Sequence, residues 1–521
     1  AKLADVDAVA FFWNPGIHAE VYNHRQSAVP RHHLEYLSSV PNHLLRGFAG
    51  DGVAHVEQRF TMKSGKVLDI HYVTHHLCHA ASTLFQAPFA EGALLTVDGY
   101  GERASTHLAI GRGLSIETLF TVDFPHSVGS LYAAVTEHLG FRANSGEGKV
   151  MGLGAYGQPR YADKLRELVE LGDFGFRLDL RAFAYFVERS TRVSAEFIAR
   201  FGPARAPESP LAQHHYDLAA SLQLVTEEIL LHLAALAKQR TGMKHLGMAG
   251  GVVLNCVANG RIARESGFDS CFFQPAAGDA GTSLGAALWV THGVHQLPRR
   301  RELETVDTLG VEHDDAEITT ELDRAKLPSL RLKNAPAAAA HLIADGKIIG
   351  WVQGRAEFGP RALGNRSILA DPRRAEMKDI VNRRVKLREP FRPFAPSVLV
   401  ERCGELFEPA TPSPFMLRAQ HTRPEKREIV PAITHVDGTA RVQTVTRTSN
   451  PRYYALIEAF AARTGVPCVL NTSFNVRGEP IVNTVADALR CFFTTDMDAL
   501  FLGDHVLVRD ESLRPLLAAY A

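Results

Sequence analysis

Leu246-Gly-Met-Ala-Gly-Gly-Val-Val-Leu-Asn255 runs out of a short apolar strand, Leu246–Ala249, straight into a glycine pair. Ahead of it, Leu218, Leu222, Val225, Ile229 and Leu233 recur near helical spacing, so Tyr216–Arg240 reads as a long amphipathic helix. Thr241-Gly242 is an ordinary stop for such a helix. Downstream, a second apolar strand, Cys271–Gln274, opens into Pro275-Ala-Ala-Gly-Asp-Ala-Gly281, and a further helix is expected from about Thr282. Strands that end in glycine turns between helices make an α/β domain whose working loops sit at strand ends.

Toward the N-terminus, Val9–Trp13, Val67–Val73 and Ala93–Val97 read as strands, with helices over His75–Gln86 and Ser130–Leu139. Toward the C-terminus the apolar period fades after His295. The polar stretch that follows, with Arg299-Arg300-Arg301 in it, predicts a linker near 296–315. A second α/β region follows: a helix over Ala335–Asp345, strands at Ile348–Val352, Ser397–Val400, Val442–Thr446 and Cys468–Asn471, and a last strand at Ala499–Leu502. The expected domains are 1–310 and 311–521.

A chain of 521 residues suits two or three domains. Lys+Arg and Asp+Glu each number 57, which argues against a broad electrostatic grip on nucleic acid while leaving room for a local basic cleft. The 6 cysteines include no CxxC pair, so neither a zinc ribbon nor a disulfide framework is indicated, and reduced thiols in a cytoplasm are expected. No signal peptide is visible, and no continuous apolar run approaches the roughly 20 residues that cross a bilayer.

Four motifs of the first half carry chemistry. In His75-His-Leu-Cys-His79 the two outer histidines stand four apart, on one helix face, where two imidazoles can bind one metal ion. Hydrogen-bonded core histidines fit the pattern equally well, and the glutamate of a zincin is absent. Asp98 leaves a strand into Asp98-Gly-Tyr-Gly-Glu102, which suits metal or phosphate chemistry around Gly99 and Gly101, or simply a hairpin turn. Asp279, beside Gly278 in the second glycine turn, suits a metal or serves as a helix cap. Gly250 and Gly251 let the backbone approach a flat ligand or a phosphate, and Asn255 can bond a ribose or base. Between these, Asn144–Gly157 reads as a glycine-rich loop in which Glu147 and Lys149 can line an anion site.

In the second half, arginines stand among glycines and prolines: Gly359-Pro-Arg361-Ala-Leu-Gly-Asn-Arg366-Ser, then Lys386, Arg388, Arg392, His435, Arg441 and Asn471-Thr-Ser473-Phe-Asn-Val-Arg477. Such a set suits a rigid cleft in which guanidinium forks bind phosphate oxygens.

In this order the motifs resemble the NodU/CmcH-type O-carbamoyltransferases, over nearly the whole chain. The resemblance implies an N-terminal domain of the actin/hsp70/sugar-kinase kind (TsaD-like) and a C-terminal TsaC/YrdC-like α/β domain. It implies that His75, His79, Asp98 and Asp279 hold a metal, Fe(II) or another divalent ion. The nucleotide or carbamoyl-adenylate would lie against Gly99, Gly101, Lys149, Gly250, Gly251, Asn255, Gly278, Arg361, Arg366 and Asn471. Lys386, Arg392, Arg441 and Ser473 would hold carbamoyl phosphate. The substrates implied are carbamoyl phosphate, ATP with Mg, and a small-molecule hydroxyl acceptor, with no nucleic-acid or membrane partner; a homodimer is compatible with it. Family members also carry an HDxS-like His/Asp segment, expected ahead of the first residue here, for which Asn14-Pro-Gly-Ile-His18 is no match, so the catalytic base is left unassigned. A tRNA threonylcarbamoyl-adenosine enzyme fits less well, given the neutral charge. A hydrogenase-maturation enzyme would need cysteine-rich zinc motifs, and an actin/hsp70-like binding protein would leave the arginine-rich half unexplained.

Overall fold

The computed structural model describes residues 5–14, 16–17, 54–187, 190–299 and 306–521. His18 and residues 300–305 of the expected linker fall outside that set. The chain divides into two compact units, Ala1–Leu303 and Glu304–Ala521.

Unit 1 holds two principal sheets. Strands β1 (Ala8–Phe11), β2 (His55–Thr61) and β3 (Val67–Val73) pair in the order β1-β3-β2. The larger sheet contains β4 (Glu91–Val97), β5 (Ala104–Arg112), β6 (Ser115–Asp123), β9 (His245–Ala249) and β10 (Ser270–Phe273), ordered β10-β9-β4-β5-β6. A separate hairpin joins β7 (Val169–Gly172) to β8 (Gly175–Leu178). In the five-stranded sheet β4, β5 and β6 form an antiparallel meander, whereas β9 and β10 run parallel to β4. β4 lies between neighbours on both sides, and every residue from Gly92 to Val97 is buried. That accounts for its unbroken apolar run.

Helix α1 (His75–Gln86) is buried along its whole length. The remaining principal helices of this unit are α2 (Val128–His138), α3 (Glu147–Gly154), α4 (Gln213–Thr241), α5 (Cys256–Glu265) and α6 (Ala280–Leu288). α6 packs on α1 so closely that a Cβ at Gly285 would fall 1.8 Å from the Cys78 carbonyl oxygen. Only glycine allows that approach, and it brings the start of α6 to the histidine face of α1. Gly250 turns the chain out of β9 at φ +103°, where a Cβ would meet the Val97 carbonyl oxygen at 2.1 Å.

In α4 the residues Leu218, Leu222, Val225, Ile229 and Leu233 are all buried. Among the described residues it is the one helix long and apolar enough to cross a membrane, but 67% of its most apolar window is buried inside the protein. It also buries Asp217, Gln223 and Glu227 along its length, so it is a core helix.

Unit 2 is built on an eight-stranded sheet, ordered β11-β21-β20-β12-β13-β19-β14-β18. Its strands are β11 (Leu330–Arg331), β12 (Ile349–Val352), β13 (Arg366–Ala370), β14 (Ala395–Leu399), β18 (Gln443–Val445), β19 (Cys468–Ser473), β20 (Ala499–Leu502) and β21 (His505–Val508). A small second sheet pairs β15 (Phe407–Glu408), β16 (Ala419–Thr422) and β17 (Thr439–Arg441). Helices α7 (Ala335–Ala344), α8 (Pro451–Thr464) and α9 (Val485–Phe493) contribute to a core in which Trp351, Tyr453, Phe460, Phe492 and Phe501 are buried.

Two expectations need correction. Ala499–Leu502 is not the last strand, because Gly503, at φ +56°, turns the chain back into β21. Asn144–Gly157 is not all loop: Glu147–Gly154 is helical despite its glycines, since Val150 and Leu153 bury one face beside α4.

A candidate metal centre and a candidate anion site

In unit 1, β4, α1 and the start of α6 deliver His75, His79, Asp98 and Asp279 to one place. One ligand atom from each lies within 4.8 Å of the others. Nε2 of His79 is 3.0 Å and Nε2 of His75 is 3.2 Å from the same Asp98 oxygen, Oδ2. The two Nε2 atoms are 3.1 Å apart. Asp279 Oδ1 stands 3.6 Å from His75 Nε2 and 4.0 Å from His79 Nε2. Ligands about 2.0–2.1 Å from a tetrahedral ion stand roughly 3.3 Å from one another, so these spacings suit one cation at the centre. Asp279 ends just before α6 without capping it, and 71% of its side chain is exposed, so the cluster opens to solvent on that side.

Burial alone would raise the Asp98 carboxyl, but hydrogen bonds with His75 and His79 hold it well below the ordinary carboxylate range. Burial pushes His79 toward neutral imidazole. For His75, burial opposes protonation, and Asp98, Asp279 and Glu102 together outweigh it. Among the described residues the Nδ1 atoms of both histidines are buried without a hydrogen-bond partner, so the rings are oriented by packing and by their Nε2 contacts to Asp98. The Trp13 and Phe12 rings stand 5.5 and 6.4 Å from that of His75.

Asp98 also begins the β4–β5 hairpin, so the turn and cluster readings both describe it. Ser127 Oγ donates to the Gly99 carbonyl at 2.5 Å and caps α2, which fixes the hairpin from below. A Cβ at Gly251 would lie 2.9 Å from Asp98 Oδ1, so the glycine pair after β9 borders the cluster. Around Gly99 there is open space, and a Cβ at Gly278 would make only an ordinary contact. Gly101 instead packs on α1, 3.0 Å from the His75 Cβ by the same measure. Asn255 is spent internally: it caps α5 and exchanges hydrogen bonds with Gln223. Lys149 sits half-buried on α3, 5.7 Å from the Phe141 ring centroid.

In unit 2 the charge is reversed. A π-helical turn, Asn382–Lys386, ends at Leu387, whose φ of +46° is a left-handed conformation that side chains rarely adopt. This reversal buries Lys386 and aims its Nζ at the end of β19, 2.7 Å from the Ser473 carbonyl, 3.3 Å from Ser473 Oγ and 2.7 Å from Asn475 Oδ1. Burial, then Arg388 and Arg392, hold the Lys386 ammonium well below its ordinary range. Arg388 is lowered by burial and by Arg392 and Arg441; Arg392 is lowered by burial and by Arg441 and Arg477, against the opposing pull of Glu389. Lys386 thus feels Arg388 and Arg392, Arg388 feels Arg392 and Arg441, and Arg392 feels Arg441 and Arg477, a chain of like charges that an anion would relieve.

The loop before β13 is held from below. Glu357 Oε1 accepts from the amides of Leu363, Asn365 and Arg366 at 2.6, 2.8 and 3.2 Å. Gln443 donates to the Leu363 carbonyl at 2.7 Å, and Asn471 donates to the Ala362 carbonyl at 3.2 Å. Asn471 is fully buried and thus supports the loop that carries Arg361. Arg366 corrects the expectation of a nucleotide contact: it is 1% exposed, and its terminal nitrogens donate to the carbonyls of Val311, Gln353, Gly354 and Asn365. A guanidinium with these donors spent on backbone is a fastener.

Sequence reasoning placed Arg388 in the phosphate-cleft set and gave Asn475 no role of its own. Asn475 was legible two residues beyond Ser473; Glu357 and Gln443 reach the loop from other elements and left no local signal.

Residues 19–288 match the carbamoyltransferase N-terminus family model, and residues 340–509 match the carbamoyltransferase C-terminus. The chain belongs to the carbamoyltransferase family. Among its relatives, this carbamoyltransferase is 45% identical to the uncharacterized protein sll1178 of Synechocystis sp., over 84% of this chain and 75% of that one. It is 44% identical to the nodulation protein NolNO of Sinorhizobium fredii, over 84% of this chain and 64% of that one. It is 33% identical to the 3'-hydroxymethylcephem-O-carbamoyltransferase of Streptomyces clavuligerus, over 67% of this chain and 65% of that one. The solved structure of T. kodakarensis HypF aligns at 14% identity and a TM-score of 0.25 over 44% of this chain and 37% of that chain, too weak a likeness to bear on the architecture.

Proposed function

We propose that this carbamoyltransferase is an ATP-dependent, cytoplasmic O-carbamoyltransferase with one partial reaction in each unit. The observation that carries the reading is the charge reversal: a cation-ready cluster in unit 1 and an anion-ready cluster in unit 2. In unit 2, Arg392, Arg441 and Ser473 bind carbamoyl phosphate, and Lys386, whose Nζ is spent on Ser473 and Asn475, fixes the end of β19 beside them. Arg361, on the loop held by Glu357, Gln443 and Asn471, reaches the nucleotide of MgATP. Water cleaves carbamoyl phosphate to carbamate and phosphate, and the carbamate oxygen then bonds to the α-phosphorus of ATP as the bond to pyrophosphate breaks. The cationic side chains offset the charge that accumulates in that step.

In unit 1, the open side of Gly99 leaves room for the carbamoyl-adenylate beside Asp98 and the Gly251 turn. His75, His79, Asp98 and Asp279 would hold Fe(II) or another divalent ion; two imidazoles and two carboxylates do not separate the first-row metals. When bound, such an ion supplies a Lewis acid for the phosphate and carbamoyl oxygens. The chain's own residues orient the adenylate toward the acceptor hydroxyl, whose oxygen bonds to the carbamoyl carbon as AMP leaves. The acceptor is a small-molecule natural product, in keeping with the names of the nodulation and cephem relatives. The order of the five-stranded sheet, a meander followed by two parallel strands, supports the actin/hsp70-like reading of residues 1–310, and the YrdC-like reading of 311–521 belongs to the same proposal.

Product analysis with a panel of hydroxyl acceptors tests it. AMP, pyrophosphate, phosphate and carbamoylated acceptor should form in equal amounts, and only when carbamoyl phosphate and ATP are both present. Carbamoylation without ATP would contradict it.

A further inference from the structure

The N-terminus of α1 lacks the cap its sequence calls for. Thr74 stands at the N-cap position but makes no side-chain capping hydrogen bond, and the first turn holds no acidic residue. The first backbone amide of the helix belongs to His75, a member of the metal cluster. Instead of Thr74, a carboxylate from another element takes it: Glu102, at the far end of the β4–β5 hairpin, accepts from His75 N through both oxygens at 3.1 Å. Glu102 Oε1 also accepts from Asn14 N at 2.6 Å, so one side chain ties β1's continuation, the hairpin and α1 together. The residue is 6% exposed.

The hairpin is shaped for this. Gly101 N donates to the Ala104 carbonyl at 2.6 Å, and the absence of a Cβ at Gly101 lets the turn lie against His75 and His76. The same hairpin presents Asp98 at its other end. Asp98 and Glu102 thus hold His75 at two different atoms, one at the imidazole Nε2 and the other at the backbone amide. Among the described residues the imidazole Nδ1 of His75 has no hydrogen-bond partner, so the ring's position is set by the hold on the backbone, the packing of neighbouring rings and the Asp98 contact at Nε2. A ligand whose own ring nitrogen is held by an acceptor does not need this; His75 does.

We infer that Glu102 is a positioning residue for the metal centre: it caps α1 in trans and fixes where His75 presents Nε2. The inference rests on the metal reading given above.

The test uses the full chain, stripped of metal by a chelator and titrated with Co(II). Co(II) reports its ligand geometry through its visible absorption bands. The wild-type protein should bind one Co(II), and Asp98→Asn should bind none. Glu102→Ala should weaken Co(II) by about tenfold or more and alter the absorption bands, while Glu102→Gln, which keeps an oxygen for His75 N but loses the charge, should recover part of the affinity. Circular dichroism of the apo-proteins separates positioning from unfolding. If Glu102→Ala does not fold, Glu102→Gln decides: an affinity and spectrum equal to wild type overturn the inference. Wild-type affinity in a folded Glu102→Ala overturns it too and leaves the metal reading intact. A wild-type protein that binds no Co(II) overturns both.

Discussion

The two units solve one problem with opposite charges. Unit 1 gathers two imidazoles and two carboxylates around a point, and unit 2 strings one ammonium and four guanidiniums into a run of neighbouring cations. In each unit a carboxylate outside the ligand set holds backbone, at the start of α1 in unit 1 and at the loop of Arg361 in unit 2. Glu102 collects the amides of Asn14 and His75; Glu357 collects those of Leu363, Asn365 and Arg366. A carboxylate that accepts several amides makes strong, charge-assisted hydrogen bonds. It can thereby shape a loop or a helix end whose exposed side chains are chosen for chemistry. The difference lies in what the shaped backbone then presents: acceptors for a cation in unit 1, donors for an anion in unit 2.

The sharpest way to break the comparison is at Asp98. Its Oδ2 touches both histidines, so Asp98→Asn should lower metal occupancy by more than about 100-fold, beyond the effect expected for a supporting group. Metal analysis after desalting reads this directly. In unit 2, Arg441→Ala should leave the metal content of the protein unchanged and raise KM for carbamoyl phosphate by about 10- to 150-fold, since a charge-assisted contact is worth roughly 1.5–3 kcal/mol. A changed metal content with an unchanged KM would reverse the assignment of the two sites.

Glu357→Ala tests the supporting carboxylate of unit 2. Three amides lose their acceptor, and the expected cost is about 2–3 kcal/mol of local stability, read by hydrogen exchange over residues 359–366. Glu357→Gln should restore part of the protection.

The smallest expected effect is a difference in acid sensitivity. Burial pushes His107, His138 and His215 down to about 4, with neighbouring His214 and His215 adding to it for His138, and His214 and Arg205 for His215. All three lie in unit 1. Their folded values are below the ordinary 6.5, so the unfolded chain takes up protons first as the pH falls. The stability that depends on their neutral forms is complete above pH 6.5 and is lost progressively toward pH 4. For fully buried His107 the slope is about 1 kcal/mol per pH unit in that window. Hydrogen exchange at pH 7 and pH 5 should show unit 1 losing protection before unit 2; equal losses would contradict this.

Much of this arrangement was legible in the sequence. The helix expected over His75–Gln86 has the bounds found for α1, and the residues of the unit 1 cluster follow from helical spacing and two strand-end aspartates. What stayed hidden depends on contacts between distant elements. Strands β5 and β6 carry Ser, Thr, His and Glu among their apolar residues, and so gave no clean apolar run to read. Arg366 stands in a run of residues that reads the same whether its side chain meets a ligand or the backbone; only the four carbonyls around it decide. Glu102 and Glu357 cap amides from other parts of the chain, and local pattern carries no trace of that.

The central claim is that the two charge clusters serve two separable partial reactions. Carbamoyl-phosphate-dependent exchange of labelled pyrophosphate into ATP reports the unit 2 reaction without any acceptor, and carbamoylation of the acceptor reports the sum. Both should be measured on wild type, Asp98→Asn and Arg441→Ala. The account predicts that Asp98→Asn keeps the exchange and loses transfer, whereas Arg441→Ala loses both at low carbamoyl phosphate. An Asp98→Asn protein that is folded yet loses the exchange as fully as the transfer would contradict it.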